Sequence, residues 1–177
     1  MDRLSGRVAL ITGAGHGQGA AAAGLFAREG AAVGVADLDE DNAQSVAAKI
    51  RDEGGRALGI RADVSDEGQV SGMIDAVVEE FGGLNVLYNN AGMMIPGPVE
   101  DFDLERWNRQ WAVNVTGPFL CVKHAIPHLR DGGVIINTAS TAGLVGEEGN
   151  ATYCATKGAV VNFTRGLAVT YARQGRT

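Results

Sequence analysis

RVALITGAGHGQG, residues 7–19, is the stretch whose reading decides the fold. RVALIT (7–12) is a short apolar run that stops at a glycine, and it reads as a buried strand. TGAGHGQG (12–19) then leaves that strand and opens a helix running from about Gly17 to Glu29. Gly13 permits a tight turn, while Gly17 and Gly19 let backbone amides and the helix N-terminus approach a pyrophosphate closely. A glycine cluster after a strand is equally compatible with a tight turn that binds nothing, so its context has to choose.

The context is a repeated alternation of strand and helix. AAVGVAD (31–37), ALGIRADV (57–64), NVLYNNA (85–91) and GVIINTAS (133–140) read as four more strands. Helical patterns lie between them, over residues 39–54, from about Asp66 to Phe81, from about Leu104 to Leu129, and finally from about Asn150 to Arg173. Pro118 and Pro127 fall inside the long 104–129 stretch, where a kink or an early end is expected. Near-continuous apolar strands alternating with helices imply an α/β fold: a doubly wound parallel sheet covered on both faces. Such a sheet binds ligands in a crevice at the carboxyl ends of its strands. With no internal repeat and no linker, residues 1–177 read as a single dinucleotide-binding domain.

Asp37 ends the second strand, eighteen positions after Gly19. A carboxylate there can accept hydrogen bonds from adenosine ribose hydroxyls, and it would repel a ribose 2′-phosphate. Capping the helix that follows is its other physical role. Leu38 and Asp39 supply no arginine to hold a phosphate, and His16 reads as a solvent-facing loop residue. The expected cofactor is therefore NAD in preference to NADP.

Bulk composition excludes several alternatives. Fifteen basic and twenty-one acidic side chains give a formal net charge of −6 without a long basic run, which disfavours nonspecific nucleic-acid binding. No apolar stretch approaches the roughly 20 residues that span a bilayer, and the N-terminus carries no cleavage-type signal, so a cytoplasmic setting is the default expectation. Cys121 and Cys154 lie in apolar helical patterns and read as small buried thiols. His124 and His128 stand four apart, but Pro127 disturbs the helix between them and no carboxylate or cysteine is evident nearby, so no metal site is expected. Trp107 and Trp111 read as packing at a helix contact.

TYCATKGAVVNF (152–163) adds the chemistry. Tyr153 and Lys157 stand four apart and share one helix face, among the small residues Ala151, Ala155, Gly158 and Ala159. With this pair in place, the chain resembles the short-chain dehydrogenase/reductase family over essentially its whole length. TGAGHGQG resembles the family's T-G-x-x-x-G-x-G loop, with Gly13, Gly15, His16, Gly17 and Gln18 in it. Asp63 and Val64 resemble its adenine-pocket motif, and NNAG (89–92), with Asn90, Ala91 and Gly92, its motif after the fourth strand. NVTG supplies Asn114, NTAS supplies Ser140, and YCATK supplies the Y-x-x-x-K pair. Gln18 stands where an apolar residue is usual, and Thr156 where serine is commoner.

The resemblance implies a doubly wound sheet of order 3-2-1-4-5. It also implies that Asn114, Ser140, Tyr153 and Lys157 are catalytic and that the cofactor lies along the glycine loop, Asp37, Leu38, Asp63, Val64 and residues 90–92. By the same resemblance Lys157 holds the nicotinamide ribose, Asn114 positions a water beside it, and a homodimer or homotetramer is expected. Relatives continue into further strands and a substrate-covering segment, so the chain is expected to be truncated at its C-terminus, with VIINTA at a sheet edge.

The residues support the chemistry independently. A free tyrosine, with a pKa of about 10, is a sluggish base near neutrality, and making it competent requires about 4 kcal/mol of phenolate stabilisation. One cation about 4 Å away at an effective dielectric of 20 supplies about that much. Hydride transfer between NAD and a secondary alcohol or ketone is thus the expected reaction, with a small-molecule alcohol or carbonyl compound as partner. A catalytically incomplete dinucleotide-binding module or regulatory scaffold is the alternative.

Overall fold

The computed structural model describes residues 2–172. Five strands, β1 (Val8–Thr12), β2 (Ala32–Asp37), β3 (Arg56–Arg61), β4 (Leu84–Asn89) and β5 (Leu129–Asn137), form one parallel sheet of order β3-β2-β1-β4-β5. Ile11 pairs with Val35 on one side and Tyr88 on the other, which aligns the carboxyl ends of β1, β2 and β4.

Side chains alternate between two cores, and this explains the unbroken apolar strands. Leu10 of β1 joins Ala32 and Ala36 of β2 on one face, packed by Val70, Met73, Ile74 and Val77 of α3 (Glu67–Phe81). Leu120, Cys121 and Ala125 of α5 (Gly117–Ala125) complete that layer. Ile11, Val33 and Val35 face the other way, toward Ala23 of α1 (Gly17–Arg28) and Ala43, Ala47 and Ile50 of α2 (Glu40–Asp52). Every residue of the central strands β1 and β2 is buried whichever face it occupies, so those stretches show no polar alternation.

Caps and turns set several boundaries differently from the sequence reading. Asp39, not Asp37, caps α2, accepting from Asn42 N. The third strand ends at Arg61, short of Val64, because the Asp63 carboxylate accepts from the Ser65 amide and closes a local turn. The fifth strand begins at Leu129 rather than residue 133 and ends at Asn137, leaving Ser140 in the turn beyond it.

The 104–129 stretch is not one helix with a kink at a proline. It comprises α4 (Leu104–Trp111), a π-helical turn (Ala112–Thr116), α5, and a 3₁₀ turn (Ile126–His128). The wider turn ends two residues before Pro118, whose ring and missing N–H are incompatible with an ordinary i→i−4 ladder. Pro127 lies in the 3₁₀ turn where the helix gives out. The last helix, α6, spans Ala151–Tyr171; its expected reach to Arg173 lies outside the described residues.

Cys121 is buried, and burial pushes its thiol up to about 12; Cys154 is only half-buried, correcting the expectation of two buried thiols. The fold also brings Glu67 to His124 (3.0 Å), a carboxylate the sequence did not reveal, and Lys123 shares the same oxygen at 2.6 Å. Trp107 and Trp111 pack on each other with ring centres 5.4 Å apart. No helix among the described residues is long and apolar enough to cross a membrane. β5 forms an outer edge of the sheet, with Val134 and Ile136 each 37% exposed.

Leu10, fully buried at the sheet centre, and Val169, exposed on α6, should respond oppositely to truncation. Leu10→Ala is expected to lower the urea unfolding free energy by about 2–5 kcal/mol, and Val169→Ala to change it by less than about 0.5 kcal/mol. Equal losses would contradict this core assignment.

Candidate active site

The glycine loop is held open by what it lacks. Gly13, at φ +62°, turns back against Ala91; a Cβ on it would lie 2.8 Å from the Ala91 Cα. A Cβ on Gly19 would collide with the Gly13 carbonyl oxygen, so only glycine lets α1 start this close to the loop. Gly15 lies against Asp37, whose Oδ2 accepts from Gly15 N at 2.8 Å while Oδ1 accepts from Asp39 N at 3.1 Å. These backbone donors anchor a buried carboxylate and leave further lone pairs on both oxygens for hydroxyl donors. His16 is exposed, with Nδ1 3.7 Å from Asp37 Oδ2.

The loop opens into a cleft of about 640 Å³ at the carboxyl ends of β1, β2 and β4. Gly13, His16, Asp37, Leu38, Asp63, Val64, Ala91 and Gly92 line it, together with Met93, which opens the 93–98 loop expected from the sequence to line a pocket, and Asn42, Arg109 and Val113, which the sequence did not point to. Gly15, Gly17, Gln18 and Asn90 do not line the cleft. Gln18 is exposed on α1, while Asn90 braces the loop from behind, donating to the carbonyls of Thr12 and Gly13 at 3.0 Å each. Thr12 was also missed: its Oγ1 accepts from the amides of Asn90 and Ala91, tying the ends of β1 and β4 together.

Asp63 sits half-buried in the cleft wall. Burial pushes its carboxyl up, but hydrogen bonds from the Ser65 hydroxyl (2.6 Å) and amide, with Arg109 3.5 Å away, outweigh that and hold it below the usual aspartate value. It is therefore an acceptor at neutral pH.

Lys157 and Asn114 lie beside Gly92, Tyr153 lies next to Lys157, and the turn that follows Ser140 packs on the Lys157 backbone. Lys157 is buried on α6, its Nζ donating to the Thr138 carbonyl at 2.9 Å and lying 5.7 Å from the centre of the Tyr153 ring. Burial lowers the Lys157 pKa from the ordinary value. A Cβ on Gly92 would sit 3.5 Å from this Nζ and 3.4 Å from Asn114 Oδ1, ordinary contact distances that place Gly92 against both groups. The Asn114 amide is committed to its neighbours: Oδ1 accepts from Met93 N, and Nδ2 donates to Met93 O and Thr156 Oγ1.

Ser140 caps a short turn, Thr141–Gly143, its Oγ accepting from Ala142 N at 3.2 Å. That bond uses an acceptor lone pair and leaves the O–H free to donate. Gly143 presses the turn onto α6, where a Cβ would lie 2.7 Å from the Lys157 carbonyl. The small residues of this region thus allow the Ser140 turn and the Tyr153–Lys157 helix to touch backbone to backbone.

The chain is 48% identical over 176 residues to the 2,5-dichloro-2,5-cyclohexadiene-1,4-diol dehydrogenase of Sphingobium indicum, covering 98% of this chain and 70% of that one. It is 44% identical over 174 residues to the meso-2,3-butanediol dehydrogenase of Serratia marcescens, covering 98% of this chain and 68% of the relative. The structure of a short chain dehydrogenase from Burkholderia cenocepacia in complex with NADP superposes with a TM-score of 0.95 at 37% identity, over 99% of this chain and 72% of that one. Residues 7–175 match the short chain dehydrogenase family, and the chain belongs to it.

Proposed function

We propose that the chain is an NAD(H)-dependent dehydrogenase or reductase acting on a secondary alcohol or the corresponding ketone. The observation that carries this reading is the convergence of Lys157, Tyr153 and the Ser140 turn beside Gly92 and Met93, which border a cleft whose far end holds Asp37. The glycine cradle fits a dinucleotide, since added Cβ atoms at Gly13 and Gly19 would close it. Bound NAD would accept or return the hydride.

Tyr153 takes the proton of the alcohol in oxidation and returns one to the carbonyl oxygen in reduction. Lys157 supports the phenolate electrostatically, its ammonium lying 5.7 Å from the centre of the Tyr153 ring. Ser140 orients the substrate oxygen and donates to the charge that develops on it. Asp37 would accept from the adenosine ribose hydroxyls and oppose a 2′-phosphate. The Burkholderia relative's NADP makes this the part of the reading most in need of test.

Tyr153→Phe should lower turnover of a secondary alcohol by about 10²–10⁴-fold, with NADH affinity by fluorescence titration unchanged. Retained turnover would remove Tyr153 from the chemistry. NADH binding without turnover in either protein would instead favour a dinucleotide-binding module.

Asp37→Ser is expected to shift the NAD:NADP ratio of kcat/KM toward NADP by about tenfold or more, since removing a like charge facing a phosphate is worth at least about 1.4 kcal/mol. A parent protein that uses both cofactors equally would contradict the role given to Asp37.

Lys157→Met tests the burial of the ammonium. A lowered native pKa makes the charged form costly at neutral pH, and that cost is relieved as pH rises from the lowered value toward 10.5. The parent should therefore gain stability relative to the variant over that range in urea unfolding. A difference independent of pH would show that the ammonium is not desolvated.

A further inference from the structure

Gln110 is completely buried on α4, a polar amide where an apolar side chain would need no partners. Both of its ends are used. Oε1 accepts from Ile95 N at 2.6 Å, and Nε2 donates to Thr152 Oγ1 at 3.2 Å. Four residues on, Asn114 repeats the arrangement, joining Met93 N at 2.8 Å to Thr156 Oγ1 at 3.1 Å. The two amides are therefore rungs of one ladder.

The spacings match physically. Residues i and i+2 of an extended segment lie about 6.6 Å apart, close to the roughly 6 Å rise between i and i+4 of a helix. Met93 and Ile95 can thus meet Gln110 and Asn114 on one side, while Thr152 and Thr156 of α6 meet them on the other.

Both threonines border the catalytic pair. Thr152 precedes Tyr153, Thr156 precedes Lys157, and Thr156 Oγ1 donates back to the Tyr153 carbonyl at 2.8 Å. Met93 lines the cleft. The ladder therefore sets the gap between the Met93–Ile95 loop and the helix that carries Tyr153, through the face adjoining the Tyr153–Lys157 one.

We propose that Gln110 is a positioning residue for the reaction, holding the loop after β4 and the Tyr153 helix at a fixed separation across the substrate's place. The proposal rests on Tyr153 being the proton-transfer group. Asn114 supplies the neighbouring rung, but its contacts to Met93 and Thr156 also place it beside Lys157. Gln110 reaches the site only through Ile95 and Thr152, which makes its contribution separable.

The test compares the parent with Gln110→Met, Thr152→Val, Thr152→Ser and the Gln110→Met/Thr152→Val double variant, with Tyr153→Phe alongside. In the protein without cofactor, amide hydrogen exchange followed by NMR should show the Ile95 amide exchanging about tenfold faster or more in Gln110→Met. The Met93 amide, held by Asn114, should stay protected, and the Tyr153 ring resonances should move in both Gln110→Met and Thr152→Val.

With NAD and a secondary alcohol, kcat/KM per folded enzyme should fall about 10–100-fold in Gln110→Met and Thr152→Val, with NADH affinity unchanged. Thr152→Ser should behave as the parent, and the double variant should be no worse than the poorer single. Unchanged Ile95 protection, unmoved Tyr153 resonances or losses that simply add would overturn the proposal. So would kinetic constants equal to the parent's once normalised to folded protein, which would leave Gln110 a packing role only. Full activity in Tyr153→Phe would defeat the proton-transfer reading instead, while the exchange and resonance data would still decide whether Gln110 anchors the loop to the helix.

Discussion

Five strands running in one direction leave their carboxyl ends along one edge of the sheet, and the chemistry of this chain depends on that constraint. A helix must return the chain across a face before the next parallel strand can begin. The glycine loop after β1, Asp37 at the end of β2, Asp63 just past β3 and Gly92 just past β4 therefore collect beside one cleft, although up to 79 positions separate them in the chain. The turn after β5 adds Ser140 near the same edge.

Close approach is the second requirement, and small residues meet it. Gly13 lies against Ala91, Gly19 lets α1 start against the Gly13 carbonyl, and Gly143 allows a turn to touch α6. Polar groups occupy the seams so created: Asn90 reaches two carbonyls of the glycine loop, and Gln110 and Asn114 stitch the loop after β4 to α6. A buried amide left without partners is costly, and each of these three has them. Geometry at the site is thereby tied to the satisfaction of a few hydrogen bonds.

The central strands were legible because burial on both faces makes β1 and β2 apolar without interruption, and the five-strand order followed from the family resemblance. Their ends were less legible. The Asp63–Ser65 turn and the capping of α2 by Asp39 depend on short hydrogen bonds that no hydropathy pattern records. Pro118 was visible, but the π-helical turn that accommodates it was not, since it lies upstream, at Ala112–Thr116.

Tyr153 and Lys157 could be picked out because a phenol and an amine are unusual on a small-residue helix face. Gln110 and Thr12 could not: each looks like an ordinary helix or strand-end residue until the chain folds and brings Ile95, Thr152 or the Asn90 amide to it. His124 gained its carboxylate, Glu67, in the same way, across 57 positions of sequence.

The central claim is that the Tyr153–Lys157 pair of α6 works on a substrate held beside the cleft. A crystal structure of the chain with NADH and an unreactive ketone or amide analogue tests it most directly. The account predicts the analogue's carbonyl oxygen within about 2.6–3.2 Å of both Tyr153 Oη and Ser140 Oγ, with the adenosine ribose on Asp37. A ligand oxygen out of reach of Tyr153, with the dinucleotide properly seated, would contradict it.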